Sequence, residues 1–244
     1  MAELIAAGET TWRLDLERVA RRLAAGLVGG LVTGAVVGGL GGRLAMFVLR
    51  LTSSDGLRGV ETNDGFEIGQ FSAGTVFLVV VTAVLGALGG TFYLVVRPLF
   101  SRRLRPVVMG LFGATVGGAV FIDPVGVDFE LLEPSALAVA LFIVLPATYG
   151  AMTSIVVDEM LERQTLRRLP LWLALAPLVV LLITGIGAAV VLLVFALAWV
   201  LPRRFPAVTR LWLSSATAWV GRGALLALIL LAAWKLADAV VTIV

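Results

Sequence analysis

Between Leu23 and Gly42 the chain carries no charged side chain, and eight of those twenty positions are glycine. Glycine weakens a helix in water by about 1 kcal/mol relative to alanine, so this stretch would not hold a helix there. In a bilayer the backbone finds no water and must close its own hydrogen bonds, so the helix persists. Gly26, Gly30, Gly34, Gly38 and Gly42 recur every four residues and leave a bare groove along one face. Such a groove lets a second helix press its backbone close. The feature predicts a membrane helix organised by close contact.

The rest of the chain agrees. Sixty per cent of the 244 residues are hydrophobic and 14% are charged, against about 25% charged in a soluble domain. Mean hydropathy is +1.05. The apolar residues come in long runs, the pattern of spanning helices, and not in amphipathic stripes. Before the first run, Trp12, Leu16, Val19 and Leu23 share one helical face while Arg13, Glu17, Arg18 and Arg21 lie elsewhere. Residues 1–22 therefore read as an interfacial amphipathic segment on the cytoplasmic side.

Four spans stand out, at about 23–42, 72–96, 107–122 and 135–157. Basic residues cluster in the N-terminal tail, in the loop 97–106 (Arg97, Arg102, Arg103, Arg105) and in the loop 158–170 (Arg163, Arg167, Arg168). The loops 52–71 and 123–134 are acidic. The positive-inside rule places the N-terminus and the basic loops in the cytoplasm. Arg43 and Arg50 extend the first helix towards the outer interface, where they are expected to snorkel; a site for an anionic lipid or substrate is the alternative there.

The C-terminal region 171–244 is harder to divide. Residues 171–201 would make one helix of about 46 Å, too long for a core of about 30 Å. A hairpin turning at Thr184-Gly185-Ile186-Gly187 has short arms, but it returns Arg203, Arg204 and Arg210 to the cytoplasmic side, and charge favours it. The total is then about six to seven spans.

The two halves also resemble each other. At an offset of 63, Phe66, Glu67, Ser72, Ala73 and Val76 match Phe129, Glu130, Ser135, Ala136 and Val139. The preceding spans share Gly34-Ala35-Val36-Val37-Gly38-Gly39 and Gly113-Ala114-Thr115-Val116-Gly117-Gly118. The fold expected is all-α: a polytopic transmembrane bundle of two tandem glycine-rich hairpins, 23–96 and 107–157, forming a parallel pseudo-repeat. Gly26, Gly30, Gly34, Gly38, Gly42, Gly113 and Gly117 are its expected helix-packing residues.

Chemistry has few places to reside. There is no cysteine and no histidine, which removes thiol chemistry and the commonest general base and metal ligand. The arginines form no basic face with interleaved aromatics, so no nucleic-acid partner is expected. Asp64, Glu67, Asp128 and Glu130 gather in the outer loops. There they would either form an acidic mouth for cations or, for Glu67 and Glu130, cap the helices that follow. Lys235 and Asp238 lie three apart in the last apolar segment and read as an intramembrane pair, either mutually neutralising or functional. Thr82, Thr91, Tyr93, Thr148, Tyr149, Thr153 and Ser154 would bond helix to helix or line a narrow path.

We expect no enzyme, no cofactor and no metal. The leading expectation is a glycine-packed scaffold or subunit of a membrane assembly; a small transporter or channel is the alternative. Its partners would be the bilayer and, through the glycine faces, a second copy or another chain. Of the 19 basic residues only Lys235 is lysine, a bias that reads as GC-rich bacterial coding and points to the inner membrane.

Overall fold

The computed structural model describes residues 2–52, 73–123, 134–185, 187–205, 207, 210 and 214–243, with side chains from Trp12 onward apart from those of residues 73, 180, 183 and 184. Among these residues there is no strand. The first long helix is α1 (Ala2–Thr33), a π-helical segment (Gly34–Gly41) and α2 (Gly42–Thr52), joined without a break. Then come α3 (Ala73–Val96), α4 (Arg105–Phe112), a second π segment (Gly113–Gly117) and α5 (Gly118–Phe121). The rest is α6 (Ser135–Glu162), α7 (Leu171–Ala174), α8 (Ala176–Thr184), α9 (Ala188–Arg204) and α10 (Ser215–Ile243).

Among the described residues four helices are long and apolar enough to cross a membrane: Trp12–Thr52, Gly74–Leu99, Ser135–Glu162 and Ser215–Ile243. These four account for part of the six to seven spans expected from hydropathy. Arg105–Phe121 is a shorter apolar helix, and 171–204 is broken. Residues 12–22 lead into the first span as one unbroken helix. They contain no glycine or proline to break the helix, and Asp15–Arg18 (3.1 Å) and Glu17–Arg21 (2.7 Å) brace it at helical spacing.

The core forms where helix pairs meet. The first long helix packs along α3, and α4 with its π segment packs along α6. These pairs join where Gly29 faces Val157. Helix α10 closes one side, its Leu236 and Ala239 meeting Leu49, Ile122, Ala138 and Val139. The broken segment closes another, with Leu181 and Val191 buried against Leu27, Val84 and Ala87.

That segment is a hairpin. Arg21 donates to Leu166 O (2.6 Å) just before it, and Arg203 pairs with Asp15 (3.1 Å) at its end. Both limbs therefore begin and finish beside the same stretch of α1. The reversal rests on Gly185 and Gly187, at φ 67° and 66°, a conformation costing other residues about 1–2 kcal/mol. Nothing approaches a Cβ placed on Gly185 within 4 Å, so backbone strain alone is tested there. Gly185→Ala is expected to lower stability by about 1 kcal/mol and Gly185→Asn by less; equal stability of all three in a melt would contradict the turn.

Candidate functional site

The glycine positions bring backbones together. A Cβ on Gly26 would lie 3.0 Å from Gly90 O, one on Gly30 2.9 Å from Gly90 N, and one on Gly34 2.8 Å from Gly86 Cα. From the other helix, a Cβ on Gly86 would lie 2.7 Å from Gly34 Cα. Real Cβ atoms do not come so close to backbone, so α1 and α3 fit only because both lack side chains here.

The ladder then changes step. Gly38 meets the side chain of Thr82 (Cβ at 3.0 Å), Gly39 meets the backbone of Val79 (Cα at 2.9 Å), and Gly42 meets nothing within 4 Å. The cause is the π segment. Its bonds run from i to i+5, so the backbone contact after Gly34 falls at Gly39, while Gly38 faces the Thr82 side chain of the same helix, α3. Gly38 therefore still packs on α3, against a side chain and not backbone, and the expectation is corrected at Gly42.

The second helix pair has a comparable contact. A Cβ on Gly113 would lie 2.7 Å from the Pro146 carbonyl carbon, and one on Gly117 2.5 Å from Pro146 Cβ. From α6, one on Gly150 would lie 2.8 Å from the Met109 carbonyl carbon. The π segments begin at Gly34 and at Gly113, the first residues of the two matching six-residue motifs.

Several hydroxyls in the interior bond to neighbouring helices or to their own, whereas those of Thr75 and Tyr93 find no hydrogen-bond partner among the described residues. Thr33 and Thr153, both buried, share a hydrogen bond of 2.8 Å between α1 and α6. Thr33 Oγ1 also lies 2.8 Å from Gly29 O; with Thr33 donating along its own helix, Thr153 donates across. Tyr149 Oη donates to Gly86 O at 2.9 Å, inside the glycine strip. Thr82, Thr91 and Ser154 donate to carbonyls three or four residues back.

At the arginine-bearing end stands a cluster that the sequence reading missed. Asp158 of α6, 5% exposed, accepts Arg97 Nε at 2.6 Å and Arg105 Nη1 at 2.8 Å, one guanidinium on each carboxylate oxygen. Arg105 Nε also donates to Phe100 O at 3.1 Å, and the fully buried Tyr93 ring packs with Val96, Met109 and Val157. One carboxylate thus ties the ends of α3, α4 and α6. The signal was three charges at matching span ends, but topology counting treats such arginines as markers of side and not as ligands. Arg102–Glu162 (2.8 Å) and Arg222 Nε to Leu99 O (2.6 Å) continue the network at the same end.

The other expected site residues fare differently. Asp64, Glu67, Asp128 and Glu130, with Phe66 and Phe129, lie outside the described residues. Lys235 and Asp238 are exposed on α10 and no salt bridge joins them. Side chains on a helix lean towards its N-terminus, so Lys235 leans away from the acid that follows it; the favourable order is acid first. Mutual neutralisation is therefore not how the two charges are held. Lys235→Leu with Asp238→Leu is expected to leave the melting temperature in detergent unchanged or higher; a clear fall would reveal a partner. Arg43 is buried at 9% exposure, a position that does not match a snorkelling side chain.

Comparison of the chain with protein-family models, curated proteins and solved structures finds no match in any of the three.

Proposed function

We propose that this chain is a non-enzymatic integral membrane protein that serves as a rigid scaffold or subunit of a membrane assembly. The observation carrying the reading is the glycine strip, where Gly26, Gly30 and Gly34 meet Gly86 and Gly90 backbone to backbone. Interfaces of that kind have no soft side chains to give way, so they favour one fixed arrangement. The Thr33–Thr153 and Tyr149–Gly86 bonds favour it too, because they commit to helix contact the hydroxyls that a transport path would need.

The matching halves belong to the same proposal. Both π segments start on the shared motif, and Val76 and Val139, matched at the offset of 63, both lie in the helices that follow, α3 and α6. A parallel pseudo-repeat accounts for both. The arginine end faces the cytoplasm by the positive-inside rule, which puts the N-terminus inside a bacterial inner membrane.

The test is purification in mild detergent followed by native mass spectrometry. We expect copies of this chain, or other chains, held in a stoichiometric complex. A lone monomer that moves ions or solutes when reconstituted in vesicles would favour the transport alternative and overturn the scaffold.

A further inference from the structure

Between α1, α6 and the turn Thr165–Arg168 lies a cavity of about 530 Å³, within the size range of small-ligand sites. Five arginines face it: Arg18, Arg21, Arg22, Arg97 and Arg167. Glu17 and Glu162 are the acids on its wall, leaving an excess of three positive charges. Two of the cations are already engaged, Arg97 with Asp158 and Arg21 with Glu17 and Leu166 O.

A third, Arg18, pairs with Asp15 (3.1 Å). The remaining two have no acid partner among the described residues: Arg22 makes no ion pair or hydrogen bond, and Arg167 bonds the neutral Gln164 (3.0 Å). The rest of the wall is apolar, including Leu14, Ala25, Met160 and Leu161. Basic and apolar surface therefore share one recess beside the start of an apolar span.

A second cavity of about 290 Å³ shares Arg18 and Arg22 and reaches Trp199 and Arg203. Arg203 stacks over the Trp199 ring at 5.1 Å, and tryptophan marks the headgroup level of a bilayer.

We propose that the larger cavity binds the phosphate of an anionic phospholipid headgroup, with Arg22 and Arg167 as its main cationic ligands. Paired cations supply the charge and fork geometry that phosphate requires. The apolar wall fits the top of an acyl chain. A soluble phosphate would use the same arginines but gain nothing from Leu14 and Leu161.

The test uses the full chain in mild detergent, with retained lipid read by native mass spectrometry. The probes are phosphatidylglycerol, phosphatidylcholine and inorganic phosphate. We expect phosphatidylglycerol to be retained in preference to phosphatidylcholine and not displaced by millimolar inorganic phosphate. Arg22→Gln and Arg167→Gln should each weaken retention about fivefold, near the value of one surface charge towards an anionic lipid. Arg204→Gln, an exposed arginine outside the cavity, should not weaken it. Each variant is melted alongside, and Arg22→Gln, which removes a side chain with no partner among the described residues, should melt as the parent does.

Equal retention of the two lipids would overturn the proposal. So would displacement by inorganic phosphate, which would assign the recess to a soluble anion, or an equal loss in Arg204→Gln, which would assign the effect to general surface charge.

Discussion

Gly34→Leu is expected to lower the melting temperature of the detergent-solubilised chain by about 10 °C. A Cβ at this position would lie 2.8 Å from Gly86 Cα and against the Thr82 carbonyl, and backbone cannot rotate aside as a side chain can. Overpacking a fitted interior costs about 1–3 kcal/mol and sometimes more. In a chain of this length each kcal/mol moves the midpoint by about 2–4 °C. The graded series is more telling than the single variant. Gly34→Ala should destabilise strongly and Gly38→Ala weakly, since Thr82 presents a side chain there. Gly42→Ala, with nothing within 4 Å, should be neutral or slightly stabilising through helix propensity. Equal effects at Gly34 and Gly42, read by thermal unfolding, would contradict the strip.

Asp158→Asn should cost about 3 kcal/mol. The carboxylate is 5% exposed and holds Arg97 and Arg105 on separate oxygens. Removing one partner of a buried ion pair leaves charge uncompensated, at a typical cost of about 3–5 kcal/mol. The lower end applies because Arg97 is partly exposed. Replacing all three groups by apolar residues (Asp158→Leu, Arg97→Met, Arg105→Met) should recover much of the loss, since no charge is then stranded. A melting temperature of Asp158→Asn within 1 °C of the parent would show that the clamp does not hold the three helix ends.

The parts of this fold legible in the sequence are those set by local pattern. Apolar runs gave helices long enough to span, and four-residue glycine spacing pointed to Gly26, Gly30 and Gly34, which lie against α3. That reading first weakens at Gly38, which meets a side chain and not backbone, and fails at Gly42. A fixed spacing assumes a constant helical pitch, and the π segment from Gly34 to Gly41 breaks the assumption. A second failure comes at Asp158. Its partners are 61 and 53 residues away in sequence, so only tertiary packing brings the three charges together. At Lys235 and Asp238 the spacing was right, but the order of the two charges along the helix sends the side chains apart. Length separates the four helices long enough to cross a membrane from the shorter apolar helix Arg105–Phe121 among the described residues.

The most direct test of a closed, helix-packed centre uses the absence of native cysteine. Thr33 and Thr153 lie with their oxygens 2.8 Å apart and are almost fully buried. With Thr33→Cys and Thr153→Cys combined, mild oxidation in native membranes should form a disulfide in most molecules, because the two sulfurs would start near bonding range. With either cysteine alone, a water-soluble, membrane-impermeant maleimide should leave the thiol unlabelled from both sides of the membrane. Rapid labelling of both single variants, with little disulfide in the pair, would place water between the helices and contradict the packed scaffold.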